Sequence, residues 1–317
     1  MSEEEMLQIE GMTPQALATL RENGIRTIEV LAMQKKDTLI DIGISESTAE
    51  KILEGAWKKL GYTFKTANTV LEEESKREIL TTGSERLDNL LKIEGMEKGG
   101  IMVRTLTEFA GAFGSGKTTA LLTIVATNLG QTEDITALWI DTESSFSAVR
   151  LREIAEARGY DADNILKRVI YAEAVNSEHL SFLLDKADAL LKTRKVKILA
   201  IDSLPAHFRS EYVGREMLAQ RQQRLGKTLR DLLGLAKAYN LAVVFTNQVV
   251  ANPSGVYTID PVTLEQPVGG HILGHTSTVR IYLRKTSDPT VRIARTFDVP
   301  WIPQRETPIK ITKKGIE

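Results

Sequence analysis

The chain contains no cysteine, which excludes disulfides, thiolate catalysis and Cys-ligated zinc together. It also has no apolar run long enough to span a membrane. Its first residues, Met1-Ser2-Glu3-Glu4-Glu5, are acidic where a secretory signal would be basic and then apolar. These absences lead us to expect an intracellular, cytoplasmic protein with no membrane partner. Net charge is nearly missing too: Lys+Arg 41 against Asp+Glu 42 leaves −1. Any contact with a polyanion therefore needs a local basic patch, not an overall field. No low-complexity segment or internal repeat is evident in the sequence. The 317 residues, 42% hydrophobic and 26% charged, suit one large globular domain and a smaller one.

Against these absences stands one complete phosphate-loop signature, G-x-x-x-x-G-K-[ST]: Gly111-Ala112-Phe113-Gly114-Ser115-Gly116-Lys117-Thr118, followed by Thr119. A β-rich run, Thr105 to Ala110, leads in, and an apolar helical run, Ala120 to Leu129, leads out, which is the context the motif requires. Glycines let backbone N–H groups converge on one point, and the following helix directs the positive end of its dipole there. A polyphosphate would fit that point. Lys117 would meet its β- and γ-phosphates, and the Thr118 hydroxyl would ligate Mg²⁺.

Residues 1–60 read as short helices with tight turns, at helical spacing in Gln15 to Arg21 and again from Thr48 to Lys59, with Ser47 as the N-cap of the latter. The turns Ile9-Glu10-Gly11-Met12 and Ile42-Gly43-Ile44 suit helix-hairpin-helix units that present N–H groups to DNA phosphates. A plain helical bundle whose turns need glycine fits better, because the segment carries more acidic than basic side chains. Residues 61–77 read as a linker holding Phe64 and the charged run Glu72 to Arg77. From 78 to 317 strand-like and helix-like stretches alternate, with apolar β-rich runs at Ile135 to Ile140, Arg168 to Ala174, Val196 to Ile201, Leu241 to Thr246 and Val279 to Leu283. Such alternation predicts an α/β fold with a mostly parallel sheet and ligands at the carboxyl ends of its strands.

Acids terminate two of those strands. Asp202 closes Val196 to Ile201 and is a candidate for Mg²⁺ or its bound water. Glu143 follows Ile140-Asp141-Thr142 and is placed to activate the water that attacks a γ-phosphate. A third strand ends in Thr246-Asn247-Gln248, a polar cluster able to feel that phosphate. The stretch from Val249 to about Pro267 then has little periodicity, and loops of that length in a compact domain tend to be functional or disordered.

Several blocks together resemble the archaeal RadA and eukaryotic RecA-type DNA strand-exchange recombinases. They include Thr107-Glu108-Phe109, the phosphate loop, Ile140-Asp141-Thr142-Glu143, His207 to Arg215, Arg221-Gln222-Gln223, Thr246-Asn247-Gln248-Val249, Gly269-Gly270-His271, Tyr282 to Lys285 and Arg292 to Arg295. The resemblance covers nearly the whole chain. It implies a RecA-like P-loop ATPase core, a small all-helical N-terminal helix-hairpin-helix domain, and an ATP- and Mg²⁺-dependent homo-oligomeric filament or ring on single-stranded and double-stranded DNA. Under it Glu143 and Gln248 are catalytic, and Thr118 and Asp202 serve the metal. His275, Asp298 and Pro300 reach the nucleotide of a neighbouring subunit. Arg209, Tyr212 and Arg215 would contact DNA in a first loop, and Val249 and Asn252 in a second. Phe64 and Ala67 match an F-x-x-A tether whose ring enters a pocket that includes Ala172 and Ala174 of the next subunit.

The chain departs from the family pattern at Ala110, Ala112 and Asn252, in Ser144-Ser145-Phe146-Ser147, where Gly-Thr-Phe-Arg is usual, and in the inserted Lys92 to Lys98. Ser147 stands where the family's Arg would lie on adenine, a role Arg150 or Arg152 could take over. Two other functions remain compatible with the sequence: a mediator of the same fold that binds ATP and a partner without polymerising, and a non-catalytic DNA-binding assembly protein.

Overall fold

The computed structural model describes residues 6–25, 27–251 and 265–317, with the side chains of Asp188, Ala251 and Asp298 also outside that set. Asn252 and most of the loop expected after Val249 therefore lie outside the described residues. The chain divides into two compact units, Met1–Lys76 and Arg77–Glu317.

In the first unit, helices α1 (Pro14–Glu22), α2 (Ile28–Ala32), α3 (Lys36–Asp41) and α4 (Glu46–Lys59) enclose a core that includes Leu20, Ile25, Leu39, Ile44 and Ile52. Three of the four begin at a hydroxyl N-cap, Thr13, Thr27 and Ser45, which satisfies an otherwise unpaired first-turn N–H. Ser45, and not Ser47, caps α4, because its Oγ accepts from Thr48 N at 3.3 Å. The same turn occurs twice. After α1, Gly24 N donates to Arg21 O at 3.0 Å and Ile25 N to Leu20 O at 2.8 Å; after α3, Gly43 N donates to Ile40 O at 2.9 Å and Ile44 N to Leu39 O at 3.0 Å. The φ angles of Gly24 and Gly43, 80° and 95°, are open to glycine at little cost. An internal repeat is thus present that the sequence did not reveal, since its copies share little beyond a Leu and a Gly-Ile pair. Ile9–Met12 does turn into α1 through Met12 N to Ile9 O at 3.0 Å, but the counterpart of Ile42–Ile44 is Asn23–Ile25.

The segment expected as a linker carries a helix of its own, α5 (Ala67–Ser75). Thr66 caps it by accepting from Thr69 N at 3.2 Å, and Asn68 Nδ2 donates to Glu72 Oε1 at 2.9 Å. No residue of α5 is buried.

The second unit is built on strands β1 (Ile79–Leu80), β2 (Ile101–Met102), β3 (Leu106–Ala110), β4 (Thr136–Asp141), β5 (Val169–Glu173), β6 (Val196–Asp202), β7 (Ala242–Asn247), β8 (Val249–Ala251), β9 (Glu265–Pro267), β10 (Val279–Lys285), β11 (Val291–Asp298), β12 (Glu306–Thr312) and β13 (Gly315–Ile316). Its helices are α6 (Glu85–Leu90), α7 (Lys117–Gln131), α8 (Ala148–Ala157), α9 (Ala162–Lys167), α10 (Ser177–Thr193), α11 (Ala206–Glu211), α12 (Leu218–Ala238) and α13 (Gly270–Thr276). One nine-stranded sheet runs β13-β12-β11-β10-β3-β7-β6-β4-β5. From β10 to β5 every pairing is parallel; beyond β10 the edge turns antiparallel.

The parallel strands are covered on both faces, so they read as unbroken apolar runs. Along β6, Ile198 and Ala200 enter the core under α7 and α8, whereas Leu199 and Ile201 enter a second core under α10 and α12. Strands β11 and β12 were not expected. Their charged residues, Arg295, Glu306 and Lys310 on exposed or half-exposed positions and Arg292 buried, interrupt the apolar signal that a strand reads by. Sheet register then sets the site: Asp141 pairs with Asp202, Ile201 with Phe245, and Ala110 with Asn247. The phosphate loop, Glu143, Asp202 and Gln248 consequently emerge at one edge.

Candidate nucleotide site at the strand ends

The phosphate loop joins β3 to α7 and is shaped by close approach. Gly114 and Gly116 have φ of 71° and 99°. A Cβ on Gly116 would come within 2.6 Å of Ile311 Cδ1, and one on Gly111 within 2.4 Å of the Leu283 carbonyl oxygen. No acid occupies the first turn of α7, so its dipole is left to an anion. Lys117 Nζ curls back onto the loop, donating to Gly111 O at 2.8 Å and Ala112 O at 3.0 Å. Burial holds the Lys117 ammonium below the ordinary lysine value; Asp202 and Glu143 oppose the shift and Lys285 adds to it. An anion is the missing partner of such a cation. The Ser115 hydroxyl is fully buried with no hydrogen-bond partner. Ala112 and Thr119 are half-buried, and the Phe113 ring is 92% exposed. Lys285 and Arg292 were not singled out for the nucleotide. Lys285 Nζ lies 3.1 Å from where a Gly114 Cβ would be, and Arg292 Nη2 donates to Gly114 O at 3.3 Å.

Asp202, 2% exposed, gathers hydroxyls from three other elements. Its Oδ2 accepts from Thr118 Oγ1 at 2.6 Å and Ser145 Oγ at 2.7 Å, and its Oδ1 accepts from Thr246 Oγ1. An all-oxygen set with one carboxylate suits Mg²⁺, which keeps several waters and takes its remaining ligands from phosphates. Consistent with so sparse a protein contribution, no cluster of three or more His, Cys, Asp or Glu ligands occurs among the described residues.

Glu143 Oε1 accepts from Gln248 Nε2 and from Ser203 Oγ, each at 2.7 Å. Nothing in the sequence marked Ser203 except its place directly after Asp202. These groups line a cleft of about 260 Å³, which also takes in Arg209 and Val268. Directly beneath, fully buried Glu108 accepts from Asn247 Nδ2 at 2.7 Å and Arg280 Nε at 2.6 Å. Asn247 Nδ2 also donates to Val268 O at 2.7 Å, which ties the end of β7 to the residue just after β9.

His275 and Pro300 do not line the Glu143 cleft. They share a separate cavity of about 480 Å³ with His271 and Arg280, where the His271 and His275 rings stack with centroids 6.1 Å apart. Asp298 ends β11, and its side chain is outside the described residues. Of the expected first-loop contacts, Arg209 and Arg215 are exposed. Tyr212 is not: it is 7% exposed and packed in the second core, with the Arg224 guanidinium 5.7 Å from its ring centroid. A ring buried among Leu side chains is held by packing. Val249 pairs with Pro267 at the loop base.

Phe64 is wholly exposed, at 108%. Ala172 and Ala174 sit on or just after β5, the edge strand of the sheet. Ala172 is half-buried, whereas Ala174 is buried and its carbonyl accepts from His207 Nε2 at 2.6 Å. Ser147 is the N-cap of α8, accepting from Arg150 N at 3.1 Å. Arg150 is held by Glu153 and the Thr312 carbonyl, and Arg152 by Asp163 and Glu156, so neither guanidinium is spare for a base. No described helix is long and apolar enough to cross a membrane.

Residues 3–58 match the family described as a SAM-like helix-hairpin-helix tandem, in keeping with the doubled turn of the first unit. A protein of Ignicoccus hospitalis named "DNA repair and recombination protein RadA" is 39% identical over 318 residues, covering 98% of this chain and 94% of that relative. Residues 75–317, the whole sheet-containing unit, match the Rad51 family. The chain therefore belongs to the Rad51 family.

Proposed function

We propose that this protein is an ATP-dependent DNA strand-exchange recombinase, a DNA-dependent ATPase that assembles on single-stranded DNA. The observation that carries the reading is that the carboxyl ends of the parallel strands hold Lys117 on the phosphate loop together with two hydrogen-bonded pairs, Thr118 with Asp202 and Gln248 with Glu143. The relative named for DNA repair and recombination supports it. Lys117 and the loop N–H groups would hold the polyphosphate, and Thr118 and Asp202 would hold Mg²⁺, which supplies charge neutralisation on the phosphate oxygens. Glu143 would take a proton from water as the water oxygen bonds the γ-phosphorus. The bond to the leaving diphosphate oxygen then breaks and its electron pair departs with ADP. Gln248, bonded to Glu143 and followed at once by β8, would link this chemistry to the second DNA loop.

His275, Asp298 and Pro300 would serve the nucleotide of a neighbouring copy, in keeping with a cavity apart from the Glu143 cleft. An exposed Phe64 followed by Ala67 would seat against Ala172 and Ala174 on the edge strand of that neighbour. Arg209 and Arg215 would meet DNA phosphates. ATPase assays with and without single-stranded DNA, paired with electron microscopy of the same samples, test the reading. Turnover stimulated by DNA together with filaments is expected. ATP binding without turnover or polymers would favour a mediator of the same fold.

A further inference from the structure

We propose that Ser203 is a positioning residue for Glu143, filling one carboxylate oxygen so that only the other is left to receive a proton from water. The inference rests on Glu143 being the carboxylate that activates water. Each carboxylate oxygen offers about two lone-pair sites. Glu143 Oε1 has both engaged, by Ser203 Oγ and Gln248 Nε2 at 2.7 Å each. Among the described residues Oε2 accepts no hydrogen bond, while Glu143 lines the cleft. Two donors on one oxygen fix the plane of the carboxylate, and the remaining oxygen keeps a constant direction.

The two donors differ in what holds them. Gln248 is half-exposed at the head of β8. Ser203 is 1% exposed and clamped on both sides of its Cα. Its N–H donates to Thr142 Oγ1 at 2.8 Å, and Thr142 Oγ1 donates to its carbonyl at 2.7 Å. Thr142 N also donates to Asp202 O at 2.8 Å. Ser203 thus ties the end of β6 to the residue preceding Glu143, and its hydroxyl is directed independently of Gln248. A glutamate side chain left to its own rotamers would lose that direction, and a misplacement of about 1 Å near the chemistry can cost about 10²-fold in rate.

The test uses the full chain with ATP and single-stranded DNA. Ser203→Ala is expected to lower kcat by about 10²-fold with KM for ATP and calorimetric ATP affinity unchanged. Ser203→Cys, similar in size but a weak donor, should fall between, and it keeps the test open if the alanine variant folds poorly. The deciding comparison places Ser203→Ala in a Glu143→Gln background. If the serine acts through Glu143, it lowers the residual rate no further; a further, multiplicative loss would assign it a separate structural role and overturn the proposal. Full turnover in Ser203→Ala, with Glu143→Gln still impaired, overturns this inference alone. Absence of turnover in the wild type overturns the functional reading and this one with it.

Discussion

Lys117 carries the most direct residue-scale consequence. Its ammonium is desolvated among loop carbonyls and held below its ordinary value. The folded protein releases this proton at lower pH than the unfolded chain does. Between the depressed and the ordinary value the unfolded state binds more protons, and this group's contribution to stability rises with pH. A polyphosphate would restore the charge, so ATP binding in that alkaline window is expected to take up a proton. Calorimetry in buffers of different ionisation heat reads it, and zero uptake would place the phosphates away from Lys117. Lys117→Ala should abolish ATP binding, and Glu143→Gln should keep binding while slowing hydrolysis by the 10²–10⁴-fold (about) typical of a general base. The phosphate loop was legible because its eight residues are contiguous. Ser147 was not: the sequence posed it as a lost adenine contact, and the structure makes it a helix cap. Ser147→Arg is therefore expected to destabilise the protein by about 0.5–2 kcal/mol, visible as a lower melting temperature.

At the scale of elements, the parallel strands were readable because burial on both faces makes them continuous apolar runs, and the helices between them followed. Strands β11 and β12 escaped because charged and hydroxyl residues, some of them buried, break up their apolar pattern. The Tyr212 ring belongs to the packing between α11 and α12. Tyr212→Ala should cost about 3–5 kcal/mol, as for other large buried rings, whereas Tyr212→Phe should leave affinity for single-stranded DNA unchanged in fluorescence anisotropy. Phe64 sits at the opposite extreme, a fully exposed ring ahead of a helix that buries nothing. Such an element lacks a partner within its own unit. Phe64→Ala should reduce the assembly to smaller species in light scattering, because losing an aromatic anchor costs on the order of 2–4 kcal/mol per contact; an unchanged mass would reject the tether.

For the whole molecule the near balance of charge matters most. With a net charge of −1, attraction to DNA depends on where cations are displayed, and Arg209 and Arg215 are displayed. Binding to single-stranded DNA should weaken steeply with salt, and Arg215→Ala should reduce the slope of log K against log salt by about 0.7, the value for one phosphate on a single strand. An unchanged slope would remove Arg215 from the DNA path. The two units differ in what they expose. The helical unit has repeated glycine turns whose N–H groups close the preceding helices, and the sheet unit displays side chains at strand ends.

The sequence by itself determined the chemistry available: a loop for polyphosphate, an acid closing each of two strands, an α/β order and an aromatic in a polar segment. These signals are local, and each needs only neighbouring residues to be read. The tertiary structure alone decided which groups touch. Ser203 and Gln248 meet on Glu143 because β6, β4 and β7 end at one edge, Glu108 binds Arg280 because β3 lies beside β10, and Tyr212 is buried because helices from separate segments close over it. Hydrogen bonds and burial depend on distance in space, and sheet register brings together residues that no spacing in the chain relates.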